Sequence, residues 1–404
     1  MSIFREIPPT AGLPIYLNDI LSLFAPVRQS LEDDFKKYLG VSFAKVTYSG
    51  TAAFYLILEG LKELSSKRTV IIPAYICPLV PLAIKRAGLK IEICDINKNN
   101  FNFDLAALEE LCALNDDILA VVPVHLAGIP LEFQELEKVC RDNGIFIIED
   151  CAQSLGALYQ GNKVGALGDF SFFSLCRGKG LTIYEGGVIV ANKKEYAPII
   201  ERAFRKLAND DIFSEMIKVL ELFGYWIFYR PALFWFIFRL PQLFWNLQGN
   251  QFRANIEYFE INFPLHSVSE FRKKIAHNGI LRLDAEIIGQ RQRAHYYLEN
   301  LRKIPGITVV DEPAAGQATF PFVTLIFSES HQKEKALKNF EKSGLGVSQI
   351  YELAITGYDY LKEMLPDKIY PNAAYLAERA VTLSTSTFMH EKDLDAVLNI
   401  IKKL

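Results

Sequence analysis

Two short runs carry residues whose types and spacing suit one kind of chemistry. In Ile147-Ile148-Glu149-Asp150-Cys151-Ala152-Gln153 an apolar strand ends in acids, and in Phe172-Phe173-Ser174-Leu175-Cys176-Arg177-Gly178-Lys179-Gly180 a second strand ends in a hydroxyl and continues through glycine to lysine. Parallel strands deliver their last residues to the carboxyl edge of the sheet, where ligands of open α/β folds bind. Asp150, Ser174 and Lys179 are therefore expected at one edge. Pyridoxal phosphate requires an amine for a Schiff base, a carboxylate that keeps the pyridine nitrogen protonated, and donors for the phosphate. Taken singly, a lysine after a glycine is a solvated loop residue and a strand-terminal aspartate is a helix cap. Their combination in this order points to the cofactor.

The surrounding pattern supplies the elements that must place these groups. From residue 46 to residue 190, short apolar runs alternate with stretches whose apolar residues recur at three and four, the signature of parallel strands flanked by helices. Strands are expected at 69–72, 90–94, 119–124, 146–149, 169–174 and 187–190, with helices at 52–62, 79–87, 105–114 and 132–143. Gly88 and Gly144 follow the last periodic residues and read as helix stops. From residue 267 the pattern is helical to 301, strand-like at 307–310 and 321–327, and helical again at 332–343 and 391–403. This predicts an α/β large domain over 1–212, an aromatic-rich helical insert and linker over 213–266, and a smaller C-terminal α+β domain over 267–404.

Composition narrows the possibilities. A chain of 404 residues can form two domains, and a composition that is 50% hydrophobic and 23% charged excludes a mainly disordered chain. Lys plus Arg number 44 against 47 for Asp plus Glu, with no arginine-rich block, so nucleic acid is not an expected partner. Cys77, Cys94, Cys112, Cys140, Cys151 and Cys176 sit mostly in apolar runs without a C-x-x-C pair. Buried thiols in a reducing compartment are expected, not disulfides or a metal site. The first nine residues lack an apolar core, so no secretory signal is expected and the cytoplasm is the default.

The stretch 213–247 holds Trp226, Trp235 and Trp245 and many phenylalanines, interrupted by Pro231 and Pro241. Its pieces fall short of the about 20 apolar residues that a membrane span needs. A helical hairpin packed on its own domain or on a second subunit is the expected reading. The alternative is peripheral contact with a membrane, with Arg230 and Arg239 near headgroups.

From about residue 40 to residue 192 the motifs, in order and spacing, resemble the sugar aminotransferase family typified by DegT and StrS. They are Tyr48-Ser49-Gly50-Thr51-Ala52-Ala53, Ile72-Pro73-Ala74-Tyr75, Pro123-Val124-His125-Leu126-Ala127-Gly128, Glu149 to Gln153, and Ser174 to Lys179 followed by Glu185-Gly186-Gly187. The resemblance implies the aspartate-aminotransferase fold, fold type I, with a mainly parallel seven-stranded sheet, and pyridoxal 5'-phosphate as cofactor. It implies Lys179 as the Schiff-base lysine and proton carrier, Asp150 beside the pyridine nitrogen, Gln153 near the phenolic oxygen, and Ser174 with Gly50, Thr51 and Ala52 at the phosphate. Tyr75 and Cys77 are the candidates for stacking on the ring, Cys77 standing where the family usually has an aromatic residue. His125 is expected as a satisfied core histidine, with a pocket role as the alternative. Tyr351 resembles a residue of the family's C-terminal region.

The reaction so implied is amino transfer, from glutamate or a similar donor, to a keto sugar carried on a nucleotide or lipid, by a homodimer. A lyase or dehydratase on the same cofactor is the alternative, but dehydrating relatives carry histidine in place of the lysine, and Lys179 speaks against that branch. A regulatory protein without catalysis has no need of Lys179, Asp150, Gln153 and Ser174 together. The chain departs from the family in two places: no Asn-x-Arg-Met segment is recognisable around 267–274, and Glu352-Leu353-Ala354 stands where Pro-Leu-His usually follows the tyrosine.

Overall fold

The computed structural model describes residues 5–21, 23, 29–249 and 259–404. Strands β1 (Phe43–Thr47), β2 (Thr69–Pro73), β3 (Lys90–Cys94), β4 (Ile118–Val121) and β5 (Phe146–Asp150) precede a small hairpin, β6 (Leu158–Tyr159) and β7 (Asn162–Lys163), and then β8 (Phe170–Ser174) and β9 (Gly187–Ala191). Seven of them form one sheet in the order β1-β9-β8-β5-β4-β2-β3. β3, β2, β4, β5 and β8 pair in parallel, whereas β9 is antiparallel to both β8 and β1. Every residue of β2, β4 and β9 is buried, which is why these strands read as continuous apolar runs without alternation.

Register brings the site to one edge. Thr47 pairs with Gly187 and Ser174 pairs with Gly187, while Asp150 lies opposite Phe172 one strand further on. The ends of β1, β5 and β8 and the start of β9 therefore share one rim. The expected strand over 119–124 ends in the sheet at Val121. Pro123 has no N–H for a ladder, and past it only an isolated bridge joins Val124 to Asp150.

A 32-residue helix, Glu270–Leu301, leads to a second, antiparallel sheet. Its strands are β10 (Ile307–Val309), β12 (Phe322–Phe327), β13 (Val347–Ser348) and β14 (Ala380–Ser384), in the order β10-β12-β14-β13, and β11 (Gly316–Gln317) pairs instead with β6. Helices Ser330–Phe340, Pro371–Arg379 and Glu391–Ile401 accompany this sheet.

The aromatic stretch forms three helices, Ile212–Phe228, Pro231–Ile237 and Arg239–Leu247. Asp211 caps the first through the Ser214 N–H at 2.9 Å. Pro231 opens the second. Pro241 does not divide the segment as expected: it stands in the first turn of the third helix, where its missing N–H has no helical role, and the break falls at Phe238. Leu222, Tyr225, Tyr229 and Phe234 form a small core with Ile15 and Ile275. Other faces are open, with Ile212, Phe213, Met216 and Leu220 each more than 60% exposed.

Candidate functional site

A cleft of about 560 Å³ opens at the shared rim and is lined by Gly50, Thr51, Cys77, His125, Asp150, Gln153, Ser174, Lys179 and Tyr351 among others. Residues from distant parts of the sequence thus meet in one cavity.

The cleft's anion-binding end is built by the turn after β1. Ser49 is extended and caps the Gly50–Leu64 helix, its hydroxyl accepting from the Ala52 N–H at 3.1 Å. The first N–H groups of a helix have no intrahelical partner and favour an anion. Gly50 lets β8 approach, since a Cβ there would stand 3.2 Å from Ser174 Cβ. The hydroxyls of Thr51 and Ser174 border the same space. This donor set fits a phosphate.

At the other end Asp150 closes β5, 4% exposed, with the Ala152 N–H donating to Oδ1 at 3.0 Å. Burial pushes its carboxyl up to about 6, and the Ala152 N–H and the charge of Lys179 act against that rise. A buried carboxylate in this state is completed by a cationic partner such as a protonated ring nitrogen. Lys179 follows Gly178, whose φ of +76° is a left-handed conformation suited to glycine. Its carbonyl accepts from the Leu13 N–H at 3.1 Å. Amine, buried acid and phosphate donors line one cavity, the set that pyridoxal phosphate needs.

His125 is 1% exposed and reaches the cleft wall with both ring nitrogens engaged. The Leu131 N–H donates to Nδ1 at 3.1 Å, and Nε2 lies 3.1 Å from Glu149 Oε2. Glu149 also accepts from the N–H groups of Gly165, Leu167 and Gly168 at 2.8, 2.8 and 2.7 Å. His125, Glu149 and Cys151 have the spacing of metal ligands, but hydrogen bonds already satisfy this carboxylate. Gln153 is held by the Ala127 N–H, which donates to Oε1 at 2.9 Å.

Tyr75 does not line the cleft. It is buried behind Tyr351, its hydroxyl donating to the Tyr351 carbonyl and accepting from the Tyr351 N–H, both at 3.2 Å, with the rings edge to face. Of the two stacking candidates, Cys77 reaches the cavity, and Tyr351 reaches it with Tyr75 as its support.

Several lining residues were not singled out from sequence. Phe54 and Phe172 pack at 4.9 Å on the apolar side. Glu185 accepts from Tyr48 Oη at 3.1 Å and pairs with Lys218 at 2.8 Å; its place in Glu185-Gly186-Gly187 was a signal without a role. Arg177, exposed at the rim, and Phe259, Glu260, Asn262, Phe263 and Pro264 also line it.

Fold and site together define a pyridoxal-phosphate-dependent aminotransferase, and comparison with known proteins gives the family. The profile of the DegT/DnrJ/EryC1/StrS aminotransferase family matches residues 17–225 and 267–402, and the chain belongs to that family. Its cofactor is pyridoxal phosphate. It is similar to the UDP-4-amino-4,6-dideoxy-N-acetyl-beta-L-altrosamine transaminase of Campylobacter jejuni, 25% identical over 382 residues covering 92% of this chain and 89% of the relative. Among solved structures it resembles Helicobacter pylori PseC, an aminotransferase involved in the biosynthesis of pseudoaminic acid, at TM-score 0.76 and 17% identity over 99% of each chain. It also resembles the E. coli GDP-4-keto-6-deoxy-D-mannose-3-dehydratase, at TM-score 0.74 and 20% identity over 99% of this chain and 100% of the other. These two likenesses show the fold. No described helix is long and apolar enough to cross a membrane.

Proposed function

We propose that the chain transfers an amino group from an amino acid, glutamate in the first instance, to a keto sugar carried on a nucleotide or lipid. The observation that carries this is the pairing of Lys179 and Asp150 in one cleft with a phosphate cradle. The bound cofactor supplies a carbonyl that takes up the amino group and a ring that accepts electron density. Lys179 would hold the cofactor through its amine and would move the proton at the substrate carbon. Asp150 keeps the ring nitrogen protonated. Gln153, its Oε1 occupied by Ala127, offers its amide N–H to the phenolic oxygen. Ser174, Thr51 and the helix N-terminus at Gly50 and Ala52 hold the phosphate. His125 acts as a wall, both of its nitrogens being committed. Tyr351 and Cys77 face the substrate side.

Transamination is favoured over dehydration because position 179 is a lysine. Absorbance spectroscopy separates the readings. A visible band that glutamate bleaches and a keto sugar restores supports the proposal, while release of water from the sugar without consumption of an amino donor overturns it.

We also propose a cytoplasmic homodimer with the open face of the Ile212–Phe228 helix turned to a second subunit. Support comes from the contiguous exposed apolar residues Ile212, Phe213, Met216 and Leu220. A lipid surface is the second reading, favoured by the exposed Phe236, Leu240 and Phe244 on the next two helices.

A further inference from the structure

The loop that carries Lys179 is held by hydrogen bonds that run to two tyrosines of the aromatic segment. Gly178 donates its N–H to Tyr225 Oη at 3.4 Å, a long bond. Beside it, Tyr229 donates its hydroxyl to the Thr10 carbonyl at 3.2 Å. Thr10 joins Tyr229 to the loop, its hydroxyl donating to the Gly178 carbonyl at 2.8 Å. Both polar groups of the Gly178 backbone are thereby held, the N–H by Tyr225 and the carbonyl by Thr10 with Tyr229 behind it.

Packing leaves these contacts little slack. The tyrosine rings stack at 4.4 Å and 22°, and both residues are under 5% exposed. A Cβ on Gly12 would stand 2.7 Å from both Gly178 Cα and Tyr229 Oη. The neighbours are Ile15, Leu222, Phe234 and Ile275, an apolar setting in which phenylalanine would pack as well and in which each hydroxyl must be paired. The Tyr225 hydroxyl is therefore matched to the Gly178 N–H and the Tyr229 hydroxyl to the Thr10 carbonyl. The family match is interrupted from 226 to 266, so Tyr229 belongs to the part of this chain outside it.

We propose that Tyr225 and Tyr229 are positioning residues for Lys179, fixing the left-handed Gly178 so that the lysine amine stays directed at the cofactor. The proposal rests on Lys179 being the cofactor-holding amine. Without the Tyr225 hydroxyl the Gly178 N–H loses its acceptor, and a glycine peptide so freed can rotate. Small displacements of a reacting amine cost rate more than they cost substrate binding.

The test compares wild type with Tyr225→Phe and Tyr229→Phe, which keep the stacked rings. In the cofactor-free protein, amide hydrogen exchange of a peptide spanning 175–183 is expected to speed up by about tenfold or more in Tyr225→Phe while that of β5 is unchanged. In the cofactor-loaded enzyme kcat should fall by about tenfold with KM for glutamate within about twofold, and the pH midpoint of the bound cofactor's visible absorbance should move. Tyr229→Phe should change the same readouts in the same direction, and the double variant should fall short of the sum because both act on the one Gly178 residue. Unchanged exchange at 175–183 with an unmoved absorbance midpoint, whatever happens to thermal stability, overturns the proposal. If Tyr225→Phe does not fold, Tyr229→Phe decides by the same readouts. Failure of wild type to show a lysine-bound cofactor would instead defeat the assignment of Lys179, which the cofactor-free exchange does not touch.

Discussion

His125 Nε2 lies 3.1 Å from Glu149 Oε2, with neither side chain exposed to solvent. Because Nδ1 accepts from the Leu131 N–H, the ring proton sits on Nε2 and is donated to Glu149. One wall of the cleft is thus an interior polar network in which every bond direction is set. His125→Leu would leave the Leu131 N–H and one lobe of the carboxylate short of a partner, at about 1–3 kcal/mol each. Urea denaturation should show a lower midpoint with an unchanged m-value, and activity per folded molecule should fall much less than in Lys179→Ala.

Lys179→Ala should remove covalent attachment of the cofactor and leave the fold intact. The Lys179 backbone is held by Leu13 and its neighbour by Thr10, contacts that a shorter side chain does not disturb. Borohydride followed by mass spectrometry is expected to fix cofactor on wild type and none on the variant. Fixation on the variant would move the role to another amine.

How much of this was legible follows from what a local pattern can encode. Asp150, Ser174 and Lys179 could be read because strand periodicity says where an element ends, and parallel strands end on one edge. The direction of a strand is not in its own pattern, so the strand expected at 187–190 gave no sign that it runs antiparallel, as β9 does, and its neighbour β1 was not singled out. Nor does a motif say which way a side chain turns: Tyr75 sits at the expected position but faces Tyr351. Contacts across distant segments, such as Gly178 with Tyr225 or Lys218 with Glu185, have no signature at all in either stretch.

The open face of the Ile212–Phe228 helix should govern association without affecting the fold. Phe213 is 74% exposed and Leu220 70%, so replacing both by glutamate should change unfolding free energy by no more than about 0.5 kcal/mol per site. Sedimentation should then show a dimer shifting toward monomer. A wild type that floats with liposomes and a variant that does not would favour the lipid reading, and a wild type that is monomeric and ignores liposomes would defeat both.

Asp150 makes a pH-dependent prediction for the cofactor-free protein. Burial raises its carboxyl from 3.8 to about 6, so between these values the folded chain keeps a proton that the unfolded chain has released. Stability from this group is fully present below about pH 4 and is lost as pH rises through about 6. At neutral pH the ionised, buried side chain costs about 3 kcal/mol relative to its exposed state. Asp150→Asn stays neutral and can still accept from the Ala152 N–H, so it should be more stable than wild type by up to that amount at pH 8, with the gap narrowing as pH falls toward 4. Paired urea titrations across this range cancel the contribution of every other group. Cofactor should reverse the order at pH 8, because a protonated ring nitrogen beside Asp150 supplies the charge that burial lacks, and only the wild type gains from it. A gap that does not change with pH, or cofactor that stabilises both proteins equally, would remove Asp150 from the ring nitrogen.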